Sequence, residues 1–216
     1  MKREKYRFAS GLLAGLIGLF SCQHEPEVPK ETLFKLLNKE QTGITFSNNL
    51  ISSSEVNILE YLYFYNGGGV AAGDINNDGL VDLYFTGNQV SNKLYLNKGN
   101  FQFEDITESA GVSGDGGWST GVTMADVNGD GLLDIYVCQV GDYGSIKGQN
   151  RLYINLGEGK FQEAAEEFGL AFKGFSTHAA FFDYDRDGDL DMYLVNQPFD
   201  EFAKLVKNAN AIFDLQ

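Results

Sequence analysis

Three copies of one acidic loop of nine residues occur in this chain, at residues 74–82, 126–134 and 183–191. Each copy places oxygen-bearing side chains at positions 1, 3, 5 and 9 and a glycine at position 6. These side chains belong to Asp74, Asn76, Asp78 and Asp82, to Asp126, Asn128, Asp130 and Asp134, and to Asp183, Asp185, Asp187 and Asp191. Position 7, which can add its backbone carbonyl, is Leu80, Leu132 or Asp189. So many oxygen donors at this spacing indicate a site for a hard cation.

Calcium fits these ligands better than zinc or copper, which prefer imidazole or thiolate. The ligand order is that of the first half of an EF-hand calcium loop, but the glutamate expected at position 12 is replaced by Phe85, Val137 or Leu194. The aspartate at position 9 must then close the site, and no helix–loop–helix is implied. Clusters of Asp, Asn and Gly also form ordinary turns. Three such loops favour calcium, because carboxylates crowded this closely repel one another unless a cation is bound.

The charge balance of the chain is strongly acidic. Its 216 residues include 30 Asp and Glu against 16 Lys and Arg, for a net charge of −14. This balance opposes nucleic acid as the main partner, because binding to phosphates requires a basic surface. Eleven of the carboxylates lie in the three loops, so bound metal would neutralise much of the acidity.

The N-terminus has the pattern of an export signal. Four basic residues within the first seven precede an apolar run at residues 8–20, which is short for a membrane span. The end of this run, residues 19–22, resembles a bacterial lipobox. We therefore predict a signal peptide at residues 1–21, a lipid on Cys22 and a polar tether at residues 22–31. The predicted location is a bacterial outer membrane or cell surface. The alternative is a plain signal peptide followed by a chance cysteine.

A sequence repeat sets the predicted fold. The first aspartates of the loops lie 52 and 57 residues apart, and ten residues after each comes a tyrosine, Tyr84, Tyr136 or Tyr193. Each tyrosine lies in an apolar run, so each loop should lead directly into a strand. Residues 94–97 and 152–155 share a Leu-Tyr-x-Asn pattern and are each followed six residues later by phenylalanine. One repeat therefore holds about four short strands, the content of a β-propeller blade.

The predicted fold class is all-β, a partial β-propeller of about two and a half four-stranded blades with little helix. The repeats are assigned to residues 67–118, 119–175 and 176–216, the last incomplete because no further Leu-Tyr-x-Asn segment follows it. Residues 200–213 have helical spacing instead. Residues 32–66 form an N-terminal region with strands expected at 44–46 and 61–65, which are rich in aromatic and β-branched residues.

A propeller closes with 4–8 blades, so we expect these residues to be part of a longer chain. In that case the two outermost blades would each leave a face uncovered. We expect these faces to carry Leu83 and Phe85 on the first blade and Met192 and Leu194 on the third.

The repeats resemble FG-GAP/VCBS repeats, the calcium-loop blades of the integrin α-subunit propeller. The resemblance is carried by the three loops and by residues 65–74 and 97–112. The arrangement is most similar to the cartilage acidic protein and UnbV-type propellers, over about residues 32–200. The resemblance implies a seven-bladed ring in the full-length chain. It also implies calcium held by loop positions 1, 3, 5 and 9 with the carbonyl of position 7. It says much less about activity.

Few other residues suggest chemistry. His24 lies in the tether, and His178 stands where the first two repeats have Gly69 and Gly121, which favours a packing role near the propeller axis over a catalytic base. Trp118 is either a partner-facing aromatic or a core residue. No nucleophile elbow, phosphate loop or zinc-type His/Cys cluster occurs. Paired carboxylates can cleave glycosides, but an active site rarely recurs in every repeat. Cys138, in an apolar run, is predicted to be a buried and inert thiol.

The predicted function is a non-catalytic, calcium-binding β-propeller segment of a cell-surface lipoprotein that binds an extracellular protein or glycan. The alternative is an accessory propeller of a carbohydrate-active or polysaccharide-uptake protein whose catalytic part lies elsewhere. Nucleic-acid binding is a weaker alternative, which the charge opposes. Downstream blades would favour the first function, and a downstream catalytic domain the second.

Overall fold

The computed structural model of the protein describes residues 32–197. Contacts divide the chain after Leu36, and the fold below is that of the unit that begins at Leu37. The predicted lipidation site Cys22, the signal peptide, the tether up to residue 31 and the helical segment at 200–213 lie outside the described residues.

The described part consists of antiparallel β-sheets with two short helices. The first sheet contains β1 (Val70–Gly73), β2 (Asp82–Phe85), β3 (Lys93–Asn97) and β4 (Phe103–Asp105). The second contains β5 (Ser119–Ala125), β6 (Asp134–Gln139), β7 (Arg151–Asn155) and β8 (Phe161–Glu163). The third has two strands, β9 (Ser176–Phe182) and β10 (Asp191–Asn196). The helices are α1 (Lys39–Thr42) and α2 (Thr107–Ala110). Strands in both four-stranded sheets pair in sequence order, as in propeller blades.

The three sheets are adjacent blades whose first strands lie side by side. Strand β1 contacts β5, and β5 contacts β9. Threonine hydroxyls link the blades here, because Thr86 Oγ1 donates to the Thr120 carbonyl at 2.6 Å and Thr120 Oγ1 to the Ser176 carbonyl at 2.7 Å. The approach is close enough to require glycine at Gly121, where an added Cβ would lie 2.2 Å from the Thr177 carbonyl oxygen. The fold is the predicted partial β-propeller.

In each blade, successive side chains of the second strand point to opposite faces of the sheet, so one set faces the preceding blade and the other set faces the next blade. Tyr84 on β2 packs with Ile135 and Val137 of the second blade in one core. Tyr136 on β6 belongs to the next core, against which Met192 and Leu194 of the third blade pack. The expectation that Met192 and Leu194 lie on an uncovered face was therefore wrong, since they face the second blade.

The uncovered face of the third blade carries the alternate residues of β10. Tyr193 is 65% exposed and Val195 is 43% exposed, whereas Tyr84 and Tyr136 at the equivalent position of Tyr193 are buried. Tyr193 pairs with Ala180 and Val195 with His178, so these residues share one face of the two-stranded sheet. In the first two blades, the equivalent face carries Tyr84 or Tyr136 and packs against the next blade.

The N-terminal region differs from its prediction. No strand forms between residues 32 and 69, although 44–46 and 61–65 have β-forming side chains. Its backbone groups bond to side chains of the first blade instead, as when Thr45 N donates to Tyr95 Oη at 3.2 Å and Ile51 N to Gln89 Oε1 at 2.6 Å. A strand requires a neighbouring strand edge with free backbone groups. Here the backbone groups bond to side chains instead, so no strand forms.

Residues 44–66 cover the face of the first blade that was expected to be open. The ring of Phe46 stacks on that of Phe85 with centroids 5.2 Å apart. Leu83 and Phe85 are half-buried. Further along, Tyr61 and Phe64 pack around Trp118, which is 4% exposed. Trp118 is thus a core residue, one of the two roles considered for it.

Tyr84 is buried and the equivalent Tyr193 is exposed, so removal of their hydroxyl groups should change the free energy of unfolding by different amounts. Tyr84 Oη donates to the Val112 carbonyl at 2.6 Å. In Tyr84→Phe this buried carbonyl loses its donor, which should lower the free energy of unfolding by about 1–3 kcal/mol in urea denaturation. The matched control is Tyr193→Phe, which removes an exposed hydroxyl and should change stability by less than about 0.5 kcal/mol. Equal losses in the two variants would contradict the stabilising role of the hydrogen bond from Tyr84 to Val112.

Candidate metal sites

Each acidic loop folds around the carboxylate of its first aspartate. In the first loop Asp78 N donates to Asp74 Oδ1 at 3.1 Å and Gly79 N to Asp74 Oδ2 at 2.7 Å. The second loop repeats this pattern, because Asp130 N donates to Asp126 Oδ1 at 3.1 Å and Gly131 N to Asp126 Oδ2 at 2.8 Å. Two different sequences therefore adopt one loop geometry.

The turn that brings these groups together needs a left-handed backbone at positions 4 and 6. Position 6 is glycine in every loop, with φ between 83° and 101°, which glycine adopts without steric cost. Position 4 is Asn77, Gly129 or Arg186, with φ of 58°, 73° and 65°. Asparagine tolerates this region, whereas arginine is strained in it. The requirement at position 4 is a feature that the sequence analysis missed.

In the first two loops the aspartate at position 9 is the most buried carboxylate. Asp82 is 0% exposed and Asp134 is 1% exposed. Asp82 Oδ2 accepts from Ile75 N at 3.0 Å, and Asp82 Oδ1 accepts from Asn97 N at 2.7 Å. Burial raises the pKa of both carboxyl groups, the backbone N–H groups oppose that shift, and the neighbouring loop carboxylates add to it.

Within residues 32–197, no Lys or Arg side chain forms an ion pair with any loop carboxylate. The ion pairs of this part join other acidic residues, such as Asp105 with Lys93 at 2.9 Å and Asp115 with Arg151. A buried carboxylate normally has a cationic partner or a bound metal. Asp82 and Asp134 accept only from backbone N–H groups, and their lack of a cationic side chain among residues 32–197 fits a hard cation bound by the oxygen atoms of the loop.

The third loop is looser than the other two. The carboxylates of Asp183, Asp185 and Asp187 come within 4.8 Å of one another, the one such acidic group found in the described residues. Gly188 N donates to Asp183 Oδ2 at 3.3 Å, longer than its counterparts. Asp191 at position 9 is exposed and accepts from Tyr184 N at 2.8 Å. In the first two loops, an asparagine N–H at the end of the third strand of the blade donates a second hydrogen bond to the position 9 aspartate. The described part of the third blade lacks this strand.

The loops and their strands match a known protein family. The family profile described as FG-GAP-like repeat matches residues 74–137 and 140–194.

The chain belongs to the FG-GAP repeat family.

Its relatives include cartilage acidic protein 1 from several vertebrates. The protein of Xenopus tropicalis is 31% identical over 183 residues, which are 82% of this chain and 26% of the relative. The Homo sapiens protein is 30% identical over 183 residues, with the same coverage. The Mus musculus protein is 31% identical over 151 residues, 68% of this chain and 21% of the relative. The chain thus spans about a quarter of the length of the curated relatives that it matches.

The FG-GAP loops receive part of their support from asparagines at the ends of the third strands. Asn97 N bonds Asp82, and Asn155 N bonds Asp134 Oδ1 at 2.8 Å. The Leu-Tyr-x-Asn pattern marked both residues in the sequence, but only as strand ends. Asn97 lies 15 residues after Asp82, and Asn155 lies 21 residues after Asp134. Because the hairpin between the two residues differs in length, no fixed spacing in the sequence predicts this contact.

Away from the FG-GAP loops, a cavity of about 350 Å³ opens beside the first strands of the three blades. His178 lines it together with Gly69, Gly121 and Thr177. No carboxylate is among the described residues of the lining, so His178 has no acidic partner there. Its position next to Gly121 agrees with the predicted place near the propeller axis.

Cys138 is buried in the core between the second and third blades. Burial raises the pKa of its thiol to about 12, so the reactive thiolate is scarce at neutral pH. The predicted burial of this thiol is confirmed. No helix in residues 32–197 is long and apolar enough to cross a membrane.

Proposed function

We propose that the three loops bind calcium and that the chain is a non-catalytic β-propeller segment that binds an extracellular protein or glycan. One observation carries the proposal of calcium. Asp82 and Asp134 are buried at the ends of loops with the same hydrogen-bond pattern, and no cationic side chain among residues 32–197 balances them.

The ligands would be the side chains at positions 1, 3, 5 and 9 and the carbonyl at position 7. In the first loop these are Asp74, Asn76, Asp78, Asp82 and the carbonyl of Leu80. In the second they are Asp126, Asn128, Asp130, Asp134 and the carbonyl of Leu132, and in the third Asp183, Asp185, Asp187, Asp191 and the carbonyl of Asp189. Calcium would supply the positive charge that offsets carboxylate repulsion.

Two observations support a binding role without catalysis. The acidic side chains recur in every blade as loop-forming groups, and no carboxylate is among the described residues that line the cavity beside His178. Binding residues are commonly carried by loops that a rigid scaffold positions. The net charge of −14 disfavours a nucleic acid as that partner.

Calorimetric titration tests the calcium proposal directly. We expect a stoichiometry approaching three calcium ions per folded chain. Asp78→Ala and Asp130→Ala should each remove one site, because each deletes a carboxylate at the centre of its loop. The control Asp142→Ala removes an exposed carboxylate whose nearest cation is Lys147 at 3.9 Å, and it should leave the stoichiometry unchanged. Folded protein that takes up no calcium would refute the proposal.

We also propose that the protein is exported and anchored by a lipid on Cys22, at a bacterial outer membrane or cell surface. The supporting observation is the basic and apolar pattern of residues 1–22. Expressed in bacteria, the protein should partition with membranes, and Cys22→Ala should release it or leave it unprocessed. The control Cys138→Ala should still partition with membranes. Mass spectrometry that finds an unmodified N-terminus at another residue would contradict the lipid anchor.

A further inference from the structure

The loops of the first and second blades are joined through a buried side chain. Asn155, at the end of β7, is 1% exposed. Its backbone N–H donates to Asp134 Oδ1 of the second loop at 2.8 Å. Its side-chain Nδ2 donates to the Leu133 carbonyl of the same loop at 3.1 Å and to the Ile75 carbonyl of the first loop at 2.8 Å.

The chain of bonds continues into the first loop. Ile75, whose carbonyl receives the Asn155 amide, donates its own N–H to Asp82 Oδ2 at 3.0 Å. Asp134 and Asp82 are therefore connected through Asn155 and Ile75, and all four residues are buried. A second contact runs beside this path, since Asn77 Nδ2 donates to the Gly131 carbonyl at 3.1 Å.

We infer that Asn155 couples the first and second cation sites, so that calcium bound in one loop raises the affinity of the other. This inference rests on the proposed calcium binding. Calcium in the second loop fixes Asp134 and with it Asn155, and Asn155 in turn holds Ile75 and Asp82 in place. The first loop then loses less conformational freedom when its own ion binds, which is positive coupling between the sites.

Asn97 provides a matched control for Asn155. Both asparagines end a third strand and donate their backbone N–H to the position 9 aspartate of their own loop. Both side chains donate to the position 8 carbonyl of that loop and accept from a glycine N–H two residues later at 2.9 Å. Only Asn155 also bonds a loop of another blade within the described residues.

The experiment follows individual loops by NMR during titration of the full chain with calcium alone. The amides of Gly79 and Gly131, which donate to the first aspartate of each loop, report occupancy of the first and second sites. Asp130→Ala disables the second site, and Asp130 forms its hydrogen bonds within its own loop. The calcium midpoint at Gly79 is then compared with and without Asp130→Ala.

We expect Asp130→Ala to raise the Gly79 midpoint at least about five-fold in the otherwise unchanged protein and in Asn97→Ala. In Asn155→Ala the same change should shift it less than about two-fold. If Asn155→Ala does not fold, Asn155→Ser replaces it, because one hydroxyl has one donor hydrogen and cannot serve both the Leu133 and Ile75 carbonyls.

Two results would overturn the coupling while leaving calcium binding intact. One is a Gly79 midpoint that Asp130→Ala does not change, and the other is a full shift that persists in Asn155→Ala and Asn155→Ser. If neither glycine amide responds to calcium in folded protein, the proposed function fails and the coupling fails with it.

Discussion

Removal of calcium should lower the free energy of unfolding by about 5 kcal/mol. A ligand present at 100 times its dissociation constant stabilises the folded state by about 2.7 kcal/mol per site, and two sites of this strength, one in each of the first two loops, would account for the expected loss. The loss has a structural cause, because the ion-free state retains Asp82 and Asp134 buried without a cationic side chain among the described residues.

Urea unfolding in excess calcium and in excess chelator measures this difference. Asp78→Ala and Asp130→Ala should each remove about half of it, and Asp142→Ala should remove none. Magnesium at the same concentration should stabilise less than calcium, since it requires a smaller, octahedral site and retains its water. Superimposable unfolding curves with calcium and with chelator would contradict the prediction.

The polypeptide of residues 22–216 should self-associate through the third blade. Its exposed face carries Phe182, Tyr193 and Val195, and Tyr184 is 78% exposed beside it. Covering roughly several hundred Å² of apolar surface at about 25 cal/mol per Å² is worth on the order of 10 kcal/mol. This is comparable to the stability of a whole domain. Strand β10 also pairs only with β9 within the described residues, which leaves an edge for intermolecular pairing.

Sedimentation in calcium tests this prediction with matched substitutions. Val195→Lys on the exposed face should reduce association, whereas Leu156→Lys, at an exposed turn of the second blade, should not. A compact monomer of residues 22–216 at high concentration would contradict the prediction.

The repeated parts of the structure were predictable from the sequence because the determining interactions are local. The spacing of oxygen side chains and the glycine at position 6 specify each loop, and the apolar run after it specifies the strand. The equivalence of Tyr84, Tyr136 and Tyr193 also followed from the repeat. Which face of each strand is covered did not follow, because it depends on the direction in which successive blades stack. That is why Met192 and Leu194 were placed on the wrong face.

The remaining errors concern contacts between distant parts of the chain. Tyr61 and Phe64 have high β propensity, but their burial around Trp118 determines their structure more strongly than that propensity. The bond from Asn155 to Ile75 spans 80 residues. It depends on the position of one blade against the next, which no local pattern specifies.

The covering of the first blade by residues 44–66 constrains the order of folding. Thr45 bonds a residue 50 positions later, and the carbonyl of Glu60 accepts from Tyr143 Oη, 83 positions later. During synthesis this segment emerges before both blades that it contacts. It therefore cannot reach its final place until the second blade has been made, and the closure of such long loops slows folding. The part of the domain that is synthesised first is among the last to dock.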